Sequence, residues 1–106
     1  MRVYLDDERI PKVEQFDKVI RSYENFEREV LALAHYGAKF TYISFDHDLG
    51  LGKTGYDCAK FLVDADISAN ILHTNFKFNV HSANPVGAEN IRSYLSNYLR
   101  SRSSTG

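Results

Sequence analysis

The sequence predicts a single α/β domain built on a parallel sheet whose two faces are covered by helices, three layers in all. Three observations carry that prediction. Short β-prone runs alternate with segments of helical periodicity, which implies right-handed crossovers between parallel strands. Three of those runs stop at polar, chemistry-bearing residues, as buried strands do at the carboxyl edge of an open sheet. The chain's 106 residues, 43% hydrophobic and 25% charged, are enough for one packed core and leave no room for a second.

Residues 2–5, Arg-Val-Tyr-Leu, form the first strand and run into Asp6 and Asp7. A loop from Pro11 to Phe16 leads to a short second strand over residues 18–21. Ser22 or Asn25 can cap a helix with Glu27 and Glu29 in its first turn. Phe26, Val30, Leu33 and Ala34 share one face of that helix, and Gly37 stops it. Residues 41–45 read as the third strand, ending at Asp46 and Asp48. Gly50, Gly52 and Gly55 shape the turn after it, and Thr54 with Asp57 is an acidic variant of the capping box for a helix from about Tyr56. Ala59, Leu62 and Val63 give that helix its buried face. Signals conflict over residues 64–75, where Ala69, Ile71 and Leu72 allow a helix and Asn70, Thr74 and Asn75 oppose it, so no structure is assigned. Residues 76–80 alternate as the fourth strand. Asn84 then Pro85 opens a last helix with Ala88, Ile91, Leu95 and Tyr98 as its apolar stripe. The domain is expected to span residues 1–100, with residues 101–106 a disordered tail.

Composition excludes several functions. Thirteen Lys and Arg against fourteen Asp and Glu leave a net charge of -1, so no global basic field recruits nucleic acid or an anionic membrane. Asp6 and Asp7 interrupt the first apolar run too early for a signal peptide, and no stretch approaches a membrane span. The single cysteine, Cys58, offers neither an internal disulfide nor a zinc cluster, and a reducing cytoplasm is the expected compartment. Gly52-Lys53-Thr54 resembles the end of a P-loop, but the glycine required first would fall at His47, so a nucleoside triphosphatase is rejected.

Three groups are expected at the carboxyl edge: Asp6-Asp7-Glu8-Arg9, Asp46-His47-Asp48 and His81-Ser82-Ala83-Asn84. Carboxylates from neighbouring strands repel one another unless they share a cation, and oxygen ligation suits Mg²⁺ first, then Mn²⁺ or Ca²⁺. Asp6, Asp7 and Asp46 are the expected ligands, against the plainer reading that such acids cap helices or lie solvated. His81 and His47 can exchange protons near neutrality, with Asp48 beside them, and one of the two histidines is expected only to orient a loop. Arg9 either clamps a phosphate or neutralises a carboxylate. The last helix begins just past His81 and Ser82, so the segment from Asn84 to Gly87 aims free amides at the same edge and suits an anion. His35, His73 and Cys58 are assigned no chemistry.

The order of strand, Asp-Asp, strand, Asp and glycine turn resembles the receiver domains of two-component signalling, with Asp6 and Asp7 as the acidic pair and Asp46 as the phosphoacceptor. Leu5-Asp6-Asp7-Glu8-Arg9-Ile10-Pro11, Ser44-Phe45-Asp46-His47-Asp48-Leu49-Gly50, Thr54-Gly55-Tyr56-Asp57 and His81-Ser82-Ala83-Asn84-Pro85-Val86-Gly87 look like the signature blocks of the cyclic-phosphate processing receiver-like family. The resemblance implies a receiver-like, flavodoxin-like α/β fold with four parallel strands in the order 2-1-3-4 and the fifth strand absent. With that strand goes the receiver's usual lysine. It also implies metal-dependent processing or hydrolysis of a cyclic phosphate, on a nucleotide or an RNA end, by a phosphodiesterase or phosphohydrolase. The alternative is a non-catalytic module that binds a phosphorylated ligand or switches on phosphorylation of Asp46. The implied partners are a phosphate-containing small molecule or an RNA end, with no membrane. The exposed fourth strand leaves residues 64–75, or a second copy in a homodimer, to cover it.

Overall fold

The computed structural model describes residues 1–12 and 15–105, with side chains as far as Arg102. Val13 and Glu14 of the expected loop, and Gly106 of the expected tail, lie outside the described residues. The elements run β1 (Arg2–Leu5), β2 (Lys18–Ile20), α1 (Tyr23–Tyr36), β3 (Phe40–Phe45), α2 (Gly55–Ala69), β4 (Leu72–Val80) and α3 (Pro85–Thr105). All pairings are parallel, and the strand order β2-β1-β3-β4 is the receiver-like order the sequence predicts.

The helices start where local chemistry asks them to. Ser22 is the N-cap of α1, its hydroxyl accepting from the Asn25 amide, and Gly37 closes the helix at φ 72°. The first turn therefore carries Glu24 in place of the expected Glu27 and Glu29. Thr54 and Asp57 form a reciprocal capping box at the start of α2. The unassigned segment resolves at Asn70, which ends α2 in the left-handed conformation at φ 54° and lets β4 begin at Leu72. Residues 64–75 therefore belong to α2 and β4 themselves and do not cover the sheet edge.

Strand alternation divides the sheet into two unlike faces. Val3, Ile43 and Phe78 are neighbours in register, as are Leu5, Phe45 and Val80. These side chains meet Phe26 and Val30 of α1, Leu62 of α2, and Ile91 and Leu95 of α3 in one core. Tyr4, Ser44 and Asn79 stand in register on the opposite face. Three layers of helix, sheet and helix were expected, and here the structure differs. The crossovers into β3 and β4 both run in one direction across the sheet, so right-handedness puts α1 and α2 on one side, and α3 packs beside α2. The β1 to β2 crossover, residues 6–17, runs the other way and has no helix among its described residues. Phe16 is its main cover for the second face, its ring centroid 5.3 Å from that of Tyr4 and 6.0 Å from that of Tyr42.

The expected end of the fold near Arg100 is also revised. Helix α3 runs to Thr105, and Arg102 bonds the carboxylate of buried Asp66 at 3.1 Å and the His73 carbonyl at 3.0 Å. Asp66 further accepts from the Leu72 amide at 2.9 Å and the Tyr98 hydroxyl at 2.6 Å. Burial alone would raise this carboxyl's pKa, but Tyr98, the Leu72 amide and Arg102 together hold it below the usual carboxylate value, while Tyr98 is pushed up to about 12. Asp66→Ala leaves three donors without their acceptor, and we expect it to cost about 2–4 kcal/mol in urea unfolding with m unchanged. Because the folded-state pKa is depressed, that stability is present above the unfolded value and is lost as pH falls through the folded one. The gap between wild type and variant should therefore close below about pH 4.

Candidate functional site

The strand ladders continue one residue past the sheet. The Asp6 amide bonds the Ile20 carbonyl at 3.1 Å, the Asp46 amide the Leu5 carbonyl at 2.9 Å, and the His81 amide the Phe45 carbonyl at 2.9 Å. Leu5, Phe45 and Val80 are in register, so Asp6, Asp46 and His81 become lateral neighbours. Their ligand atoms lie within 4.8 Å of one another. Being two residues beyond Tyr4, Ser44 and Asn79, they belong to the face that no helix covers.

Each of the three is held in place. Asp6 is fully buried, one oxygen accepting from the amides of Glu8 at 2.9 Å and Arg9 at 2.8 Å. Its other oxygen is 3.0 Å from His81 Nε2 and 3.7 Å from the Arg9 guanidinium. Burial would raise the Asp6 pKa, but the two amides, His81 and Arg9 reverse this and keep it below the ordinary value. The other imidazole nitrogen of His81, Nδ1, is 2.7 Å from the Ser44 hydroxyl, and the ring stacks on Tyr4 at 4.5 Å with an interplanar angle of 2°. Asp46 is 4% exposed, and its pKa is raised by that burial and by the negative charge of Asp6; the Asp48 amide, Arg9 and His81 offset only part of this.

Glycine makes room for this arrangement. A Cβ on Gly55 would lie 1.8 Å from the Asp46 carbonyl oxygen, so α2 starts hard against the third strand's end only because position 55 has no side chain. A Cβ on Gly87 would lie 2.3 Å from the His47 ring, which rests on the first turn of α3.

The other expected site residues form a neighbouring group. His47 Nδ1 is 3.0 Å from Asp48 and 3.5 Å from the Asn84 amide nitrogen. Hydrogen bonding from His47, then from Asn84, holds the exposed Asp48 carboxyl below its usual pKa. Asn84 caps α3 by accepting from the Gly87 amide at 3.0 Å, and its own amide bonds Ser82 Oγ at 3.1 Å. These anion-ready groups are thus engaged in capping. Arg9 lies 3.7 Å from the Asp6 carboxylate, and its guanidinium bonds the His81 carbonyl at 3.1 Å. Asp7 is the residue the structure does not bring in: it is exposed and outside the group of three, near Gly50. Its expected place beside Asp6 and Asp46 is taken by His81. Ser44 and Tyr4, which hold His81, went unread in the sequence.

Parallel strands in the order β2-β1-β3-β4, acids at the first and third strand ends and a glycine-shaped turn after the third define a receiver-like domain. The family model described as the cyclic-phosphate processing receiver domain matches residues 1–97. The chain belongs to that family. No curated protein and no solved structure gives a significant match.

The raised pKa of Asp46 has a sign that can be measured. A carboxyl whose folded-state pKa exceeds its unfolded value contributes stability only below the unfolded value and loses it as pH rises through the folded one. At pH 7 the Asp46 charge therefore costs stability, and Asp46→Asn should raise stability by about 0.5–2 kcal/mol, the range common for relieving a strained functional position. The gain should vanish below about pH 4, where the wild-type carboxyl is already neutral. Thermal melts at pH 7 and pH 3.5 check this; a gain of equal size at both would show that charge is not the cause.

Proposed function

We propose that the domain hydrolyses a cyclic phosphodiester at the edge formed by Asp6, Asp46 and His81, with a divalent cation, Mg²⁺ or Mn²⁺, as cofactor. The observation that carries this reading is the pair of buried carboxylates on adjacent strands, with an imidazole locked beside them by Ser44 and Tyr4. The donor set fits a hard cation, since two carboxylates supply oxygen and their mutual repulsion already raises Asp46. Asp6 and Asp46 would hold the ion, with His81 beside them. When bound it would neutralise charge on the phosphoryl oxygens and lower the pKa of a coordinated water.

The chain's own residues then orient and move protons. Water adds to phosphorus and loses a proton, one ester bond of the ring breaks, and the freed oxygen gains a proton, leaving a phosphomonoester. His81 would deliver that proton through the Ser44 hydroxyl with which it shares a hydrogen bond, or directly once a ligand displaces one of its two partners. Arg9 stands near enough to balance charge on the phosphorane. His47 and Asp48, paired with each other, are a second route for protons and more readily explained as a support for the α3 cap. The single cysteine, Cys58, is buried and its pKa is raised by burial, so it takes no part in the chemistry. No helix among the described residues is long and apolar enough to cross a membrane.

Purified protein should open 2′,3′- or 3′,5′-cyclic nucleotides in the presence of Mg²⁺ or Mn²⁺ and lose that activity in EDTA. His81→Gln should lower kcat/KM by about 10²–10⁴-fold. Glutamine is preferred to alanine because Asp6 and Ser44 would otherwise lose a partner. Calorimetric titration should show cation binding that Asp46→Ala abolishes. Silence of the wild type toward every cyclic phosphate and every divalent ion would sink the reading.

A further inference from the structure

The helix-free face of the sheet carries a groove of about 590 Å³ that opens beside the site just described. His81, Ser44 and Arg9 belong to both, so the groove and the reacting edge are one continuous surface. Ligand pockets for small molecules occupy roughly 300–1,000 Å³, so this groove is of the right size for one.

Its lining has the two characters a nucleotide needs. The floor is aromatic: Tyr4 and Tyr42 rise from adjacent strands, and Phe16 from the β1 to β2 crossover stands beside both. Flat walls of this kind accept a nucleobase by stacking, which is tolerant of sequence because every base has a π face. Asn79, an exposed residue in register with Ser44, brings a carboxamide whose one hydrogen bond among the described residues is a long contact of 3.4 Å to Ser44 Oγ. A carboxamide can both donate to and accept from a base edge. Among the described residues of the lining, the Lys and Arg side chains are Arg9 and Lys12, and no Asp or Glu joins them. That polarity complements a phosphate placed next to His81. The chain's net charge of -1 favours a ligand with one or two phosphates over a polymer, whose binding rests on many neutralised phosphates.

We infer that this groove seats the base of a mononucleotide, with the phosphate of that nucleotide lying at the Asp6, Asp46 and His81 edge. The inference rests on the hydrolysis proposed above and narrows its substrate to a free nucleoside cyclic phosphate. That the described residues of the β1 to β2 crossover form no helix then acquires a role, since a helix there would fill the space the base occupies.

The test uses the whole chain with Mg²⁺ present. Calorimetric titrations with adenosine 3′-monophosphate and with ribose 3-phosphate compare the same phosphate with and without a base. Binding of the nucleotide should be at least tenfold tighter. Asn79→Ala, at an exposed position, and Tyr42→Leu, which keeps apolar bulk, should each weaken nucleotide binding severalfold and leave ribose phosphate unchanged. If Tyr42→Leu proves misfolded by circular dichroism, Asn79→Ala decides. Equal affinity for the two probes, or binding of neither, would overturn the inference, as would tenfold tighter binding of an oligoribonucleotide ending in the same 3′-phosphate. Failure of the wider reading is distinguishable: base-dependent binding without turnover of any cyclic phosphate removes hydrolysis and keeps the groove. Turnover of ribose 2,3-cyclic phosphate as fast as of the adenosine form removes the groove and keeps hydrolysis.

Discussion

Everything at the carboxyl edge depends on one set of backbone hydrogen bonds, the last rungs that tie Asp6 to Ile20, Asp46 to Leu5 and His81 to Phe45. A rung fixes the lateral position of a residue more strictly than any side chain does, because neighbouring strands stand about 4.8 Å apart whatever their sequence. Placing an acid on the last rung of two adjacent strands therefore forces two carboxylates together, and the low exposure of both removes the water that would screen them. The remaining features answer that forced contact. Two loop amides and Arg9 absorb the charge of Asp6, and His81 is drawn between Asp6 and Ser44. Gly55 lets α2 begin against the Asp46 carbonyl. Asp46 is left with its pKa raised, the charge only partly compensated.

The sequence was most legible where local chemistry and periodicity agree. The three helix starts and the four strands follow from caps and alternation, each of which acts over a few residues, while the strand order came from the resemblance to receiver domains. The boundary near Asn70 was not legible, because a single residue in the left-handed conformation separates helix from strand there and composition does not announce it. The site was legible in part. Adjacent acids such as Asp6 and Asp7 look equivalent in a sequence, yet period-2 alternation sends them to different sides, and the rung chooses Asp6. The same alternation held the missing signal. Tyr4, Ser44 and Asn79 each stand two residues before a member of the site, so all three share its face. A polar Ser44 inside an otherwise apolar strand end was the available sign. Arg102 was lost to the tail because a Ser-rich stretch has nothing to bury, whereas its guanidinium reaches back to a carboxylate on another helix.

The absence of a helix over one face is a change with consequences for stability as well as for access. Three helices bury one side of the sheet in a continuous core from Val3 to Leu95. The other side is left with aromatic rings packed edge and face against one another, and with Arg2 lying over Tyr42 at 4.5 Å and Phe16 at 5.6 Å. Such a surface tolerates water at its margins, since tyrosine hydroxyls and a guanidinium stay solvated while their flat parts pack. A sheet face of this composition remains folded without a covering layer and keeps an apolar floor within reach of the site. A leucine-rich face could not be left open in the same way without inviting association.

Two buried aspartates, one at each end of the molecule, show how stability and chemistry divide the fold. Asp66, beneath the end of α3, meets Arg102, Tyr98 and the Leu72 amide, and the sum of these holds its pKa down. Asp46, at the carboxyl edge, is similarly buried but has a second acid as its neighbour, and its pKa goes up. Residue type and burial being matched, the difference lies in the partners. The cation that satisfies Asp66 is part of the chain, and it pins α3 to the turn between α2 and β4. For Asp46 the Asp48 amide, Arg9 and His81 offset only part of the cost of burial and of the Asp6 charge. A carboxylate whose partners hold its pKa down stabilises the fold at neutral pH; one whose pKa is raised by burial and a neighbouring acid costs stability there. The two aspartates thus divide the fold: Asp66 fastens it, and Asp46 carries a charge that the carboxyl edge holds at the expense of stability.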